Sequence, residues 1–211
     1  GTRNATRGGR EVAAGRGEVA AAAGVTVEEE AALGIDAAAH RGALHAGQGA
    51  PGDGGDRACA PVAVIASGLD IAYPRRHVEL HQAIASSGLL LSEVPLGERP
   101  TEWRFPARNR IIAGLSDAVV VAESRSRGGS VLTAGEALDR GVPVLAVPGH
   151  PSAPASAGTN DLIFDGAGLV RSAEDVLDVI GVRAEPPVGA DPSGPLPVQA
   201  AERLVLDAIG E

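Results

Sequence analysis

Residues 118–147 read AVVVAESRSRGGSVLTAGEALDRGVPVLAV. Two apolar runs of strand length, 118–123 and 142–147, bracket a Gly-rich loop and a segment, 130–140, with helical character. Leu132, Ala134, Ala137 and Leu138 supply an apolar stripe on that segment. Continuous rather than alternating apolarity marks strands buried on both faces, as in a parallel sheet. A strand, a helix and a second parallel strand form a right-handed crossover unit. The same alternation extends toward the N-terminus. Residues 61–66 (PVAVIA) and 88–93 (GLLLSE) are further continuous apolar runs, and 25–27 is a short β-type run. Helical segments are expected at 10–23, 35–46, 76–86 and 107–115. This order predicts an α/β fold, a doubly wound, mostly parallel sheet with helices on both faces. In such sheets ligands bind outside the carboxyl ends of the strands, so the loops that follow each strand carry the functional reading.

Composition narrows the function. The chain has 211 residues and a net charge of −9, from 18 basic and 27 acidic side chains, which excludes a generally basic nucleic-acid coat. Residues 171–211 hold three Arg against eight acidic residues, a net −5, so the remaining body is only mildly acidic. A single cysteine, Cys59, excludes a disulfide framework and a cysteine-based zinc site. All 18 basic residues are Arg, and the chain has no Met. With four aromatic residues, the core must be built from Ala, Val, Leu and Ile. Gly, at 29 of 211, is roughly twice its usual share and clusters in short loops. No apolar run approaches the length needed to cross a bilayer. Residues 47–61 (GQGAPGDGGDRACAP) read as a flexible loop, and 183–197, with five prolines, as a linker.

Several post-strand loops carry chemistry. Gly1-Thr2-Arg3-Asn4 places a hydroxyl and an Arg before a helix, a plausible anion loop or an ordinary cap. Gly34-Ile35-Asp36 leads to His40 four residues on, a helix cap or an acid–base pair; no third ligand stands at metal spacing. Ser67-Gly68-Leu69-Asp70 follows the 61–66 strand directly, and Tyr73-Pro74-Arg75-Arg76 comes next. Residues 98–110 are the richest stretch. They hold Arg99, Arg104, Arg108 and Arg110 against Glu98 and Glu102, with the only Trp, Trp103, and one of two Phe, Phe105. Guanidinium groups with adjacent rings suit single-stranded nucleic acid, phosphates on the cations and bases on the rings; core anchoring of the rings is the alternative. Gly128-Gly129-Ser130 opens a helix after a strand, a phosphate-cradle arrangement that is not a Walker loop. Pro148-Gly149-His150 lies after the last strand, with a helix cap expected at Thr159 or Asn160.

The order GTR, GID-AAAH, SGLD-xxYP, GLLLSE, FPARNRIIAGLS (105–116), GVPVLAVPG (141–149) and GTN (158–160) resembles the DNA-processing protein A (DprA/Smf) family. The resemblance implies a Rossmann-like domain over 1–181, a Pro-rich linker over 182–197, and in 198–211 the opening of a small winged-helix domain. It implies binding of single-stranded DNA, its loading onto the RecA recombinase in natural transformation, homodimerisation, a cytoplasmic setting, no cofactor and no catalytic turnover. The family's first strand would end at Gly1, so that strand would be missing from this sequence. Carried over by position, Thr2 and Arg3 match the GSR/GTR loop, with Arg3 on DNA phosphate. Phe105, Arg108, Asn109 and Arg110 match the FPxRNR segment lining the same basic pocket, and Arg104, just before it, is taken as a further nucleic-acid contact. Gly34 and Asp36 match the GID piece, Ser67 and Gly68 the loop after PVAVIA, and Gly129 and Ser130 an SGS-like loop.

Two departures stand out. Glu28-Glu29-Glu30-Ala31 occupies the place of a small Ser-Gly loop, where like charge would repel phosphate. Glu102 stands where many members carry a base. Both favour a diverged interaction module as an alternative. A third reading is a nucleotide-acting enzyme: Thr133 and Glu136 have the spacing of the phosphoribohydrolase PGGxGTxxE motif, but the glycine pair lies one residue too far away.

Overall fold

The computed structural model describes residues 5–29, 34–47 and 60–182. Thr2, Arg3, Glu30, most of the 47–61 loop, and the expected linker and helical fragment beyond 182 lie outside the described residues. The chain order is α1 (Arg7–Ala22), β1 (Glu28–Glu29), α2 (Ile35–Gly47), β2 (Val62–Val64), a 3-10 turn (Arg75–His77), α3 (Val78–Ser87), β3 (Leu89–Leu91) and α4 (Arg104–Leu115). There follow β4 (Val119–Val121), α5 (Gly129–Leu138), β5 (Val144–Ala146), α6 (Ala157–Phe164), β6 (Gly168–Leu169) and α7 (Ala173–Val179).

Every observed strand pairing is parallel. Glu28 stands opposite Val62 and Val62 opposite Leu89, while Val119 faces Val144 and Leu145 faces Gly168. The fold is the expected Rossmann-like α/β arrangement. The six strands form two three-stranded sheets, β1-β2-β3 and β4-β5-β6, rather than one continuous sheet. A cleft of about 600 Å³ is shared by both, walled by Val25–Val27, by Ala118, Val120 and Ala122 along β4, and by Ala13 and Gly17 of α1. Arg16 also lines it, donates to the Arg171 carbonyl at 2.9 Å, and has its pKa lowered by burial.

Three apolar clusters hold the layers. Ala37, Ala63, Ile65, Leu80 and Ile84 join α2 and α3 to the first sheet. Ala113, Val119, Val121, Ala134, Ala137 and Val144 join α4 and α5 to the second. Ala13, Ile35, Ala38 and Ala39, with Val27 and Ala122 packed against them, link the α1–α2 pair to both. No ring appears in any of these clusters, as the composition requires.

Several boundaries differ from the sequence reading. The 25–27 run precedes its ladder: Val27 accepts from the Val62 N–H at 2.9 Å, but the paired residues are Glu28 and Glu29. The chain leaves α1 through Gly24 at φ 81 and must travel further before it draws level with β2. Two of the three consecutive glutamates therefore belong to a strand, not to the loop assigned to them. Helix α1 begins at Arg7 because Thr6 caps it, its hydroxyl accepting from the Gly9 N–H. Helix α4 begins at Arg104, ahead of the expected 107; Pro106 lies in its first turn, where a missing N–H costs no helical bond. Thr159 and Asn160 lie inside α6, whose N-cap is Ser156. The Asn160 side chain instead accepts from the Gly149 N–H at 3.1 Å and donates to the Gly149 carbonyl at 3.0 Å.

The α1–α2 contact is a backbone-to-backbone approach. A Cβ on Gly17 would come within 2.4 Å of the Ala39 carbonyl oxygen, and one on Gly42 within 2.0 Å of the Ala14 carbonyl oxygen. Close packing of this kind compensates for small side chains through many short dispersion contacts. Gly42→Ala should therefore force the helices apart and destabilise the fold by about 1–3 kcal/mol. Urea denaturation followed by circular dichroism checks this, and an unchanged midpoint would contradict the packing described.

Candidate nucleic-acid interface

Within each sheet the strands are parallel, so their carboxyl ends open on one edge, from which the chain leads into α2, α3 and α4 in the first sheet and into α5 and α6 in the second. Helix N-termini there present backbone N–H groups and a partial positive charge. At α1 that position is already filled from within. Glu123, just after β4 and only 6% exposed, accepts from the Thr6 N–H at 2.9 Å. Its carboxylate also fills the space beside Gly9, where a Cβ would lie 2.7 Å from Oε2. Glu123 had no assigned role in the sequence reading. Its signal there was a lone carboxylate ending an apolar strand.

The loop after β2 is clamped to the loop after β3. Ser67, buried, donates its hydroxyl to the Ile71 carbonyl at 2.8 Å. The Gly68 N–H donates to the Glu98 carbonyl at 2.9 Å, and a Cβ on Gly68 would meet the Pro95 oxygen at 2.5 Å. Asp70 accepts from the Gly97 N–H at 2.9 Å, and Gly97 has φ 82. Ser67 and Gly68 thus shape the rim through backbone contacts.

The arginine-rich helix α4 divides its charges. Arg108 is 5% exposed and donates to the Val64 carbonyl at the end of β2. Asn109 is 3% exposed. Arg104 pairs with Glu98 and also donates to the Arg99 carbonyl at 3.1 Å, while Arg110 pairs with Glu93. Phe105 packs its ring 5.7 Å from that of Tyr73, with the Arg108 guanidinium 6.0 Å from the Phe105 ring centre. Five other arginines, Arg75, Arg76, Arg99, Arg125 and Arg127, are exposed on post-strand loops and form no ion pair among the described residues.

In the loop after β4, Ser130 is buried and donates to the Ser124 hydroxyl at 2.8 Å, while Gly129 is exposed at the start of α5. A Cβ on Gly128 would lie 2.4 Å from the Ser124 Oγ, so serine at 128 would displace that contact. On α2, Gly34 has φ 84, and Asp36 and His40 are wholly buried beneath the rim. Of the residues singled out in the sequence, Gly34, Arg104, Phe105, Arg110 and Gly129 keep exposed surface, whereas Asp36, Ser67, Gly68, Arg108, Asn109 and Ser130 are buried. Glu136 pairs with Arg140 at 2.6 Å while Thr133 is buried, so these two are not presented together. Among the described residues no group of three His, Cys, Asp or Glu could hold a metal, and no helix is long and apolar enough to cross a membrane.

The family model of DNA recombination-mediator protein A matches residues 1–181. The chain belongs to this family. A DNA processing protein DprA from Mycobacterium tuberculosis is 40% identical over 213 residues, covering 99% of this chain and 51% of its own length. The solved DprA structure from Streptococcus pneumoniae superposes with a TM-score of 0.75 at 37% identity, over 84% of this chain and 59% of that one. DNA processing protein A from Helicobacter pylori, solved for its single-stranded DNA binding mode, superposes with a TM-score of 0.73 at 26% identity, over 85% of this chain and 77% of that one. The chain spans about half the length of the curated relatives it matches.

Glu123 gives a test of the rim's construction. Glu123→Ala removes the acceptor for the Thr6 N–H and the negative charge at the start of α1. The variant should lose about 1–2 kcal/mol of stability. Thermal denaturation beside Glu123→Gln, which keeps an acceptor, separates the hydrogen bond from the charge.

Proposed function

We propose that this chain binds single-stranded DNA along the carboxyl rim and hands it to the RecA recombinase during DNA uptake. The reading includes action as a homodimer, in the cytoplasm, without turnover. The observation that carries it is the set of five exposed arginines, two in the 3-10 turn after β2 and three on post-strand loops, that form no ion pair among the described residues of a chain whose net charge is −9. Exposed guanidinium groups on this edge attract a polyanion locally, against the exposed carboxylates Asp70 and Glu102 of the same loops. Family membership supports DNA as that polyanion. The single-strand binding described for the Helicobacter pylori relative points the same way. The placement of Glu28 and Glu29 in a strand removes part of the argument for a module that has lost DNA. The pairing of Glu136 with Arg140 weighs against the phosphoribohydrolase reading.

The test is fluorescence anisotropy of a labelled oligonucleotide against salt. Each phosphate contact on a single strand contributes about −0.7 to the slope of log K against log salt. Engagement of three to five arginines predicts a slope of roughly −2 to −3.5. The double variant Arg125→Ala/Arg127→Ala should flatten the slope by about 1.4 and leave thermal stability unchanged. Salt-independent binding, or a slope unaffected by the double variant, would refute this placement of the strand. Pull-down of RecA with and without oligonucleotide tests the hand-off separately.

A further inference from the structure

Three of the chain's four aromatic residues gather at the first turn of α4, although none of them serves the core clusters. Trp103, the only tryptophan, immediately precedes the helix and is 66% exposed. The Arg104 guanidinium lies 5.5 Å from its ring centre. Tyr73 is 50% exposed and leans on Phe105 with the two ring planes inclined by 42°. Leaving rings this exposed forgoes hydrophobic burial that an aromatic-poor core would otherwise gain. Both rings are held from one side, Trp103 by a cation and Tyr73 by another ring. Each keeps exposed surface, and the neighbouring Arg75, Arg76 and Arg99 are exposed and unpaired among the described residues.

We propose that Tyr73 and Trp103 are nucleobase-stacking platforms that flank the first turn of α4 and hold unpaired bases while the nearby arginines hold the phosphates. The proposal rests on the single-stranded DNA reading above and deepens it. It commits the rim to unstacked bases and gives it a preference for strands that carry bases over bare sugar–phosphate. Phosphate contacts cannot make that distinction, because an abasic strand presents the same charge. Stacking accepts every base, since each has a π-face, so little preference among the four is expected. Duplex DNA, whose bases are already stacked, should bind these platforms poorly.

The experiment uses the full chain and two labelled oligonucleotides of equal length, oligo-dT and its abasic counterpart, read by anisotropy. Intrinsic fluorescence of Trp103 is followed in the same titration. Oligo-dT should bind about tenfold more tightly per engaged ring than the abasic strand, and should quench the tryptophan emission. Trp103→Ala and Tyr73→Ala should each remove part of that preference while the salt slope stays as in the parent. Trp103→Phe should retain most of it. Melting curves of the variants identify any that fail to fold; these exposed side chains lie outside the core, so parent-like curves are expected. Equal binding of dT and abasic strands, or no quenching at saturation, would overturn the platforms and leave the phosphate-binding rim standing. Absence of oligonucleotide binding by the parent at low salt would overturn both.

Discussion

The structure depends on one constraint: its strands run parallel. Parallel neighbours cannot be joined by tight hairpins, so each connection crosses over, here by a helix, and within each sheet the carboxyl ends of the strands open in the same direction. The loops after β2 and β3 are thereby brought to one edge of the first sheet, and those after β4 and β5 to one edge of the second. Nothing in residues 67–70, 98–104 or 124–128 taken alone would assemble a site. The sheet does so by direction, and the helices that begin there add aligned N–H groups to the same edge.

A second constraint follows from composition. Without rings to fill space, the layers approach one another through Gly and Ala. The pair α1 and α2 meets at Gly17 and Gly42 so closely that neither position has room for a methyl group. Such an interface tolerates almost no expansion, since protein interiors are close-packed and small volume changes are felt. The packed pair is tied to the second sheet, because Glu123 accepts from the Thr6 N–H just before α1 while Ala122, just past β4, packs against the cluster of Ala13, Ile35 and Ala39. None of the four aromatic residues joins a core cluster, and three of them, Tyr73, Trp103 and Phe164, are exposed.

Much of this was legible from the residues. Continuous apolar runs at 61–66, 88–93, 118–123 and 142–147 each contain an observed strand; burial on both faces holds along β5 but not at the edge strand β3, where Leu89 is 49% exposed. The register of β1 was not legible. Two glutamates carry no β signal, and their place is set by how far the chain must run after Gly24 to meet Val62. Elements α6, β6 and α7 are eight, two and seven residues long, too short for periodicity to speak. The site was legible as loops and as residue types. It was not legible as burial, because the depth of Asp36, Arg108 or Ser130 is decided by neighbours distant in sequence.

That depth sorts the arginines of the rim into two kinds. Arg108 gives its guanidinium to the Val64 carbonyl, and Arg104 and Arg110 face Glu98 and Glu93, so these three brace α4 against the β2 and β3 ends. A buried cation that loses its partner costs far more than an exposed one, so Arg108 is held in place by the fold itself. Arg75, Arg76, Arg99, Arg125 and Arg127 are exposed and form no ion pair among the described residues. The FPARNR segment is the most recognisable part of the sequence, yet its central arginine builds the platform on which the rim rests. The arginines with free charge lie on loops whose sequence is far less distinctive. A substitution at Arg108 therefore alters the platform and every contact built on it. One at Arg125 or Arg127 removes an exposed charge and disturbs no ion pair among the described residues.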